Sequence, residues 1–161
     1  MQRIVCCCLA GFLFSSFLTG CASQGPAGFA HDESDLKPDR KAVFGVLPNG
    51  MRYVFYPNKE PDGRLFAFLR VGVGSAYEKE EHRGIAHYLE HMAFNGSEHF
   101  DPGELVKYFQ GIGMAFGGDV NAFTSLDQTV YSLDLPNTEG ETIEKAFLLL
   151  GDYARRPACG G

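Results

Sequence analysis

The sequence has little cysteine outside its amino terminus, and this scarcity limits the chemistry available to the protein. The five cysteines are Cys6, Cys7, Cys8, Cys21 and Cys159. The first three lie in an apolar run that we expect to be removed, and we expect the fourth to carry lipid. One cysteine then remains, which excludes an intramolecular disulfide even in an oxidising compartment. A zinc site built on cysteine is excluded for the same reason.

Positive charge is also scarce. The chain has 14 Lys and Arg against 20 Asp and Glu, which gives a formal net charge of −6. No basic stripe is present, and this argues against nucleic acid as a partner. The length of 161 residues allows one domain at most.

No apolar run reaches the roughly 20 residues that a bilayer span needs. The run from Ile4 to Leu18 instead suits the apolar region of a signal peptide, predicted over residues 1–20. The segment Leu18-Thr19-Gly20-Cys21 resembles the lipobox of bacterial lipoproteins, which implies cleavage before Cys21 and acylation of its sulfur. The alternative is an ordinary secretory signal with a chance cysteine. Residue 22 is Ala rather than Asp, and the resemblance to enteric lipoproteins then implies anchoring in the outer membrane of the bacterial envelope, facing the periplasm. Residues 21–41 are expected to form a flexible tether.

Residues 42–161 predict an α+β domain with a layered sheet and helices packed on one face. Asn49-Gly50 predicts a hairpin between two short strands. A later strand, Leu65–Val73, is apolar on both faces and is therefore predicted to be central. A further strand is predicted at Gln128–Leu135, and helices at Arg83–Phe94, at Asp101–Ile112 with Asp101 as its N-cap, and from Thr138 onward. The apolar faces are expected to be Ile85, Leu89 and Met92 in the first of these helices, and Ile143, Ala146, Phe147 and Leu150 in the third.

The pentad His87-Tyr88-Leu89-Glu90-His91 carries the strongest chemical signal. On a helix, residues four apart lie above one another, so His87 and His91 would offer two imidazoles to one zinc ion. Glu90 would lie beside the metal, where a carboxylate takes the proton of a metal-bound water. The order H-x-x-E-H is the inverzincin signature. The alternative is a surface helix whose two histidines and one glutamate are merely solvated.

The residues around the pentad favour the catalytic interpretation. The stretch His87 to Gly96 strongly resembles the active-site helix of the pitrilysin/insulinase family of zinc metallopeptidases. So do Gly117 to Ser125, then Thr129-Val130-Tyr131, and the opening Leu47 to Tyr53. The resemblance implies an incomplete pitrilysin-like N-terminal domain, with His87 and His91 as Zn²⁺ ligands and Glu90 as general base. It also implies that Asn121 and Ala122 lie on an edge strand, to which a peptide or protein substrate adds as an extra strand.

The sequence departs from this family in one respect. The resemblance places the third zinc ligand, a glutamate, roughly 75 to 80 residues after His91, which lies beyond Gly161. We therefore expect weak zinc binding and little peptidase activity from this chain alone, with a C-terminal half or a partner subunit needed for activity. The alternative is a non-catalytic, lipid-anchored scaffold or peptide-binding protein on the same fold. Two further histidines, His82 and His99, flank the motif helix and are expected to be loop residues.

Overall fold

The computed structural model describes residues 28–101 and 103–155. The chain divides into two compact units, Met1–Tyr56 and Pro57–Gly161. The predicted signal peptide, the lipidation site Cys21 and residues 21–27 of the predicted tether lie outside the described residues. Within the described ranges, no helix has the length and apolar character needed to cross a membrane.

The first unit contains the predicted hairpin. Strand β1 (Val43–Val46) pairs with β2 (Arg52–Phe55) in an antiparallel ladder, with Gly45 opposite Tyr53. Gly50 closes the turn with φ of 85°, in the left-handed region that glycine adopts without strain. The side chain of Asn49 accepts a hydrogen bond from the backbone N–H of Met51 at 3.0 Å, an arrangement typical of asparagine in turns. The hairpin prediction is therefore confirmed.

In the described ranges, the second unit is a three-stranded antiparallel sheet with three α-helices. In chain order its elements are β3 (Leu65–Val71), α1 (Ile85–Ala93), α2 (Glu104–Gly111), β4 (Val120–Thr124), β5 (Thr129–Leu135) and α3 (Gly140–Arg155). The sheet order is β3-β5-β4. The prediction that the strand beginning at Leu65 is central is therefore wrong for this sheet, since β5 takes that place. Phe66 and Phe68 on β3 point to an open face of the sheet and remain exposed.

Side chains along β3 alternate between the two faces of the sheet, and one of these faces is covered by helices. Ala67 and Leu69 of β3 lie opposite Leu133 and Tyr131 of β5, and all four are buried on one face of the sheet. Helix α3 packs against β3 and β5, and helix α1 packs against β4 and β5. The core of this layer consists of apolar residues from every element of the unit, including Ala93, Phe100, Leu105, Phe109, Met114, Val120, Ala146 and Leu149. This agrees with the predicted α+β class and with helices on one face.

The helices differ from their predicted faces. Ile85 was expected to be buried on α1, but 47% of its surface is exposed, and the buried residues of this helix are Glu90 and Ala93. The expectation for Ile85 is wrong because the side of α1 that faces β4 is the one that carries Glu90, rather than the most apolar side. Phe147 of α3 is likewise exposed, whereas the polar residue Asp152 is buried.

The start of α2 also differs from its prediction. The helix begins at Glu104, with Gly103 as its N-cap at φ of 81°. Asp101 is therefore not the N-cap that the sequence predicted. It still contacts the first turn, because its backbone N–H donates to the carboxylate of Glu104 at 3.2 Å. This bond between the Glu104 side chain and the backbone before the helix is the glutamate half of a capping box, whose aspartate half is not present.

Candidate metal centre

The motif helix α1 is held at its amino end by a side chain from the preceding loop. The carboxylate of Glu78 accepts hydrogen bonds from the backbone N–H of Gly84 at 2.6 Å and of Ala86 at 2.8 Å. These are donors of the first turn that have no partner inside the helix. The bonds from Ala86 and Gly84 hold the pKa of Glu78 below its ordinary value. Glu78 therefore fixes the start of α1 one turn before the first histidine of the pentad.

The two histidines of the pentad converge. The Nε2 atoms of His87 and His91 lie 2.9 Å apart, and their ring centroids lie 4.6 Å apart. Two nitrogens bound to one tetrahedral zinc at 2.0–2.1 Å would be separated by about 3.3 Å. The observed separation differs from that value by a few tenths of an ångström, which small side-chain rotations cover. The residues present therefore fit a zinc ion on their own geometry.

Glu90 lies on the inner side of the same helix. Only 6% of its surface is exposed, and its Oε2 accepts a hydrogen bond from the hydroxyl of Thr124 at 2.7 Å. Candidate ligand atoms of His87, Glu90 and His91 all lie within 4.8 Å of one another. Burial, and then the negative charge of Glu90, raise the pKa of Tyr131 behind it. The structure thus brings together all three residues that the sequence assigned to metal chemistry.

A cavity of about 430 Å³ opens beside these residues. Its walls come from α1, from the loop before β4 and from β4 itself, and the lining includes His87, Glu90, His91, Phe94, Phe116 and Asn121 to Thr124. Asn121 and Ala122 lie on β4, which the sheet order places at an edge. The position that the family resemblance implied for these two residues is confirmed, while their role in substrate binding stays a prediction.

A second group of histidine and carboxylate side chains lies away from this cavity. Asp152 of α3 accepts hydrogen bonds from the hydroxyl of Ser97 at 2.6 Å and from the backbone N–H of His99 at 3.1 Å. Its other oxygen lies 2.7 Å from Nδ1 of His99. Burial raises the pKa of Asp152, but the hydrogen bonds from Ser97 and His99 outweigh burial and lower it. Glu98 completes the group. Sequence patterns gave no indication of this contact.

Two residues at the motif helix were also missed. Glu78 lies between the predicted strand and helix, and nothing in the sequence distinguishes it from the neighbouring acidic residues Glu80 and Glu81. Thr124 falls inside the stretch that resembles the peptidase family, but its residue type alone indicates no role. Both act through contacts with α1 that span 8 and 34 residues of sequence.

The helix of this α+β layer carries H-x-x-E-H, with converging imidazoles and a buried glutamate. This combination is typical of zinc peptidases. Residues 53–159 match the pattern of the insulinase family, peptidase family M16. The chain belongs to this family.

Known members of the family support this assignment. The chain is 35% identical over 119 residues to the probable zinc protease PqqL of Escherichia coli strain K12, which covers 74% of this chain and 13% of that protein. It is 37% identical over 113 residues to the chloroplastic stromal processing peptidase of Arabidopsis thaliana, covering 70% of this chain and 8% of that protein.

The fold agrees with solved structures of the same family. The crystal structure of the first half of the periplasmic protease PqqL from Escherichia coli has a TM-score of 0.72 at 34% identity, covering 76% of this chain and 26% of that one. The crystal structure of pitrilysin has a TM-score of 0.60 at 30% identity, covering 76% of this chain and 12% of that one. The chain thus spans about an eighth of the length of the PqqL protein that it matches.

Proposed function

We propose that this chain carries the metal ligands and the general base of a zinc-dependent endopeptidase. The observation that carries the proposal is the convergence of His87 and His91, with Nε2 atoms 2.9 Å apart, beside the buried carboxylate of Glu90. The names of the relatives, which are zinc proteases, agree with this chemistry.

Each residue has a separate task in the proposed reaction. His87 and His91 would hold a zinc ion, which would supply Lewis acidity to the site when bound. Glu90 would accept a proton from the attacking water and pass it to the amine that leaves when the peptide bond breaks. The position of Glu90 on the cavity wall, on the same helix as the two ligands, places the base next to the nucleophile that it must deprotonate.

The edge strand β4 is proposed to bind the substrate backbone. The N–H of Ala122 is bonded to the side-chain oxygen of Asn121 at 2.9 Å rather than to the neighbouring strand β5. This donor therefore faces away from the sheet, toward the space in which an added strand would lie. A peptide carbonyl can take the place of the Asn121 oxygen as the acceptor for this N–H. Asn121 and Ala122 would then bind the backbone of an extended peptide, whatever its side chains.

The zinc site needs a further ligand. Catalytic zinc sites use three protein ligands and leave one position for water. In the described ranges, the group around the cavity offers His87, His91 and Glu90, and Glu90 is required as the base. We propose that another segment or a partner subunit supplies the third ligand, and that this chain alone binds zinc weakly and has little activity.

The cellular location is proposed from the amino terminus. The Escherichia coli relative is a periplasmic protease, which agrees with a place in the envelope. The finer proposal is that Cys21 carries a lipid that anchors the protein in the outer membrane, facing the periplasm. Metabolic labelling with a fatty-acid analogue should label the wild type and not Cys21→Ser. Equal labelling of the two would contradict the anchor.

The proposed activity is tested with two matched carboxylate-to-amide variants. Glu90→Gln removes the base, whereas Glu98→Gln alters a carboxylate in the second group. With saturating zinc and a mixture of quenched fluorescent peptides, we expect slow, zinc-dependent cleavage that falls at least about 100-fold in Glu90→Gln and is unchanged in Glu98→Gln. Cleavage that survives Glu90→Gln would contradict the proposal. Tight peptide binding without any cleavage would favour the non-catalytic binding protein.

A further inference from the structure

A single hydroxyl joins the edge strand to the buried carboxylate. Thr124 is the last residue of β4, and its Oγ1 donates to Oε2 of Glu90 at 2.7 Å. This distance is typical of a well-formed hydrogen bond between a hydroxyl and an oxygen acceptor. The bond links α1 to β4 at the wall of the cavity.

The surroundings of Thr124 fix the direction of this bond. Thr129 lies directly opposite Thr124 in the ladder of β4 and β5, and their hydroxyl oxygens are 3.5 Å apart. The hydroxyl of Thr129 donates its proton to the backbone oxygen of Val73 at 3.0 Å. Since a hydroxyl has one proton, Thr129 has none left for its neighbour. Thr129 could therefore only accept from Thr124, at the longer distance of 3.5 Å, whereas the carboxylate oxygen of Glu90 accepts at 2.7 Å and takes the proton of Thr124.

We propose that Thr124 is a positioning residue for the general base. Its hydroxyl holds Oε2 of Glu90 in one place, so that the other carboxylate oxygen is left to accept the proton of the attacking water. Because Thr124 and the residues proposed to bind the peptide share one short strand, the strand that takes up substrate also sets the orientation of the base. This inference rests on the proposed peptidase function.

The hydrogen bond is tested first without reference to activity. Thr124→Val removes the hydroxyl at nearly constant volume, and Glu90→Ala removes the acceptor. In a double-mutant cycle on the metal-free protein, we expect the two changes to be non-additive by about tenfold in the equilibrium constant for unfolding. A matched cycle of Ser132→Ala with Glu90→Ala should be additive within about twofold. Additive behaviour of the Thr124 and Glu90 pair would overturn the proposal, whatever the protein does to peptides.

The kinetic test separates positioning from a merely structural role. Thr124→Ser keeps the hydroxyl and loses only a methyl group. We expect Thr124→Val to lower kcat about tenfold or more with KM changed less than twofold, and Thr124→Ser to recover most of the loss. Equal losses in the two variants, or a loss confined to KM, would contradict the positioning role. If wild-type protein cleaves no peptide, the proposed function fails while the unfolding cycle still decides whether Thr124 holds Glu90.

Discussion

Two groups of histidine and carboxylate side chains lie in the second unit, and they differ in how their carboxylates are used. Asp152 is bonded to Ser97 and to two groups of His99. Glu90 has the single hydroxyl of Thr124 as its donor and faces a cavity beside two converging imidazoles. A fully bonded carboxylate stabilises the fold, whereas one held by a single donor keeps capacity for a proton or a metal.

The loss of Asp152 is expected to have the largest effect on stability. Asp152→Asn removes the charge and leaves the backbone N–H of His99 and the Ser97 hydroxyl with a poorer acceptor. We expect the free energy of unfolding to fall by about 2–3 kcal/mol, measured by urea denaturation. The matched change Glu90→Gln should alter it by less than about 1 kcal/mol, because the amide keeps an acceptor for Thr124. Equal losses would erase the distinction between the two groups.

The pH dependence of the free energy of unfolding should show that the hydrogen-bonded carboxylate of Asp152 stabilises the fold. The pKa of Asp152 is lowered in the folded protein from its ordinary 3.8, so its charged form favours the fold. Its contribution is present above the unfolded pKa and is lost as the pH falls through the lower, folded pKa. We expect the stability of wild type to decline below about pH 4 more steeply than that of Asp152→Asn. If the stability of wild type and of Asp152→Asn fell in parallel with pH, the stabilising role of the Asp152 carboxylate would be contradicted.

The smallest expected effect concerns the start of the motif helix. Glu78→Gln weakens the capping of the Gly84 and Ala86 N–H groups at the exposed end of α1. We expect the melting temperature to fall by roughly 2–4 °C. Glu81→Gln, in the same loop and without a bond to α1 in the described structure, is the control and should leave the melting temperature unchanged. A drop of the same size in the control would rule out a specific cap.

Local patterns predicted much of the site. The spacing of His87, Glu90 and His91 requires only a helix, since α-helical geometry alone brings the two imidazoles together. Asn49-Gly50 predicted the hairpin through the backbone freedom of glycine. The α+β class followed from the order of strand and helix patterns.

The parts that residue patterns alone did not predict depend on contacts between distant residues. Strand β4 has Asn121 and Ala122 at its centre, which are poor strand formers, and its position came from family resemblance rather than from residue preference. Ile85 was expected to be buried because apolar spacing cannot reveal that the carboxylate of Glu90 occupies the inner side of α1. The bond between Ser97 and Asp152 spans 55 residues, which no local pattern encodes.

The central claim is that His87 and His91, rather than the group around Asp152, bind the metal. Its most direct test is calorimetric titration of the metal-free protein with Zn²⁺, comparing wild type with His87→Ala and His99→Ala. We expect one zinc per chain in wild type and in His99→Ala, with affinities within about twofold, and at least a roughly 100-fold loss of affinity in His87→Ala. Unchanged binding in His87→Ala, or the large loss in His99→Ala instead, would contradict it.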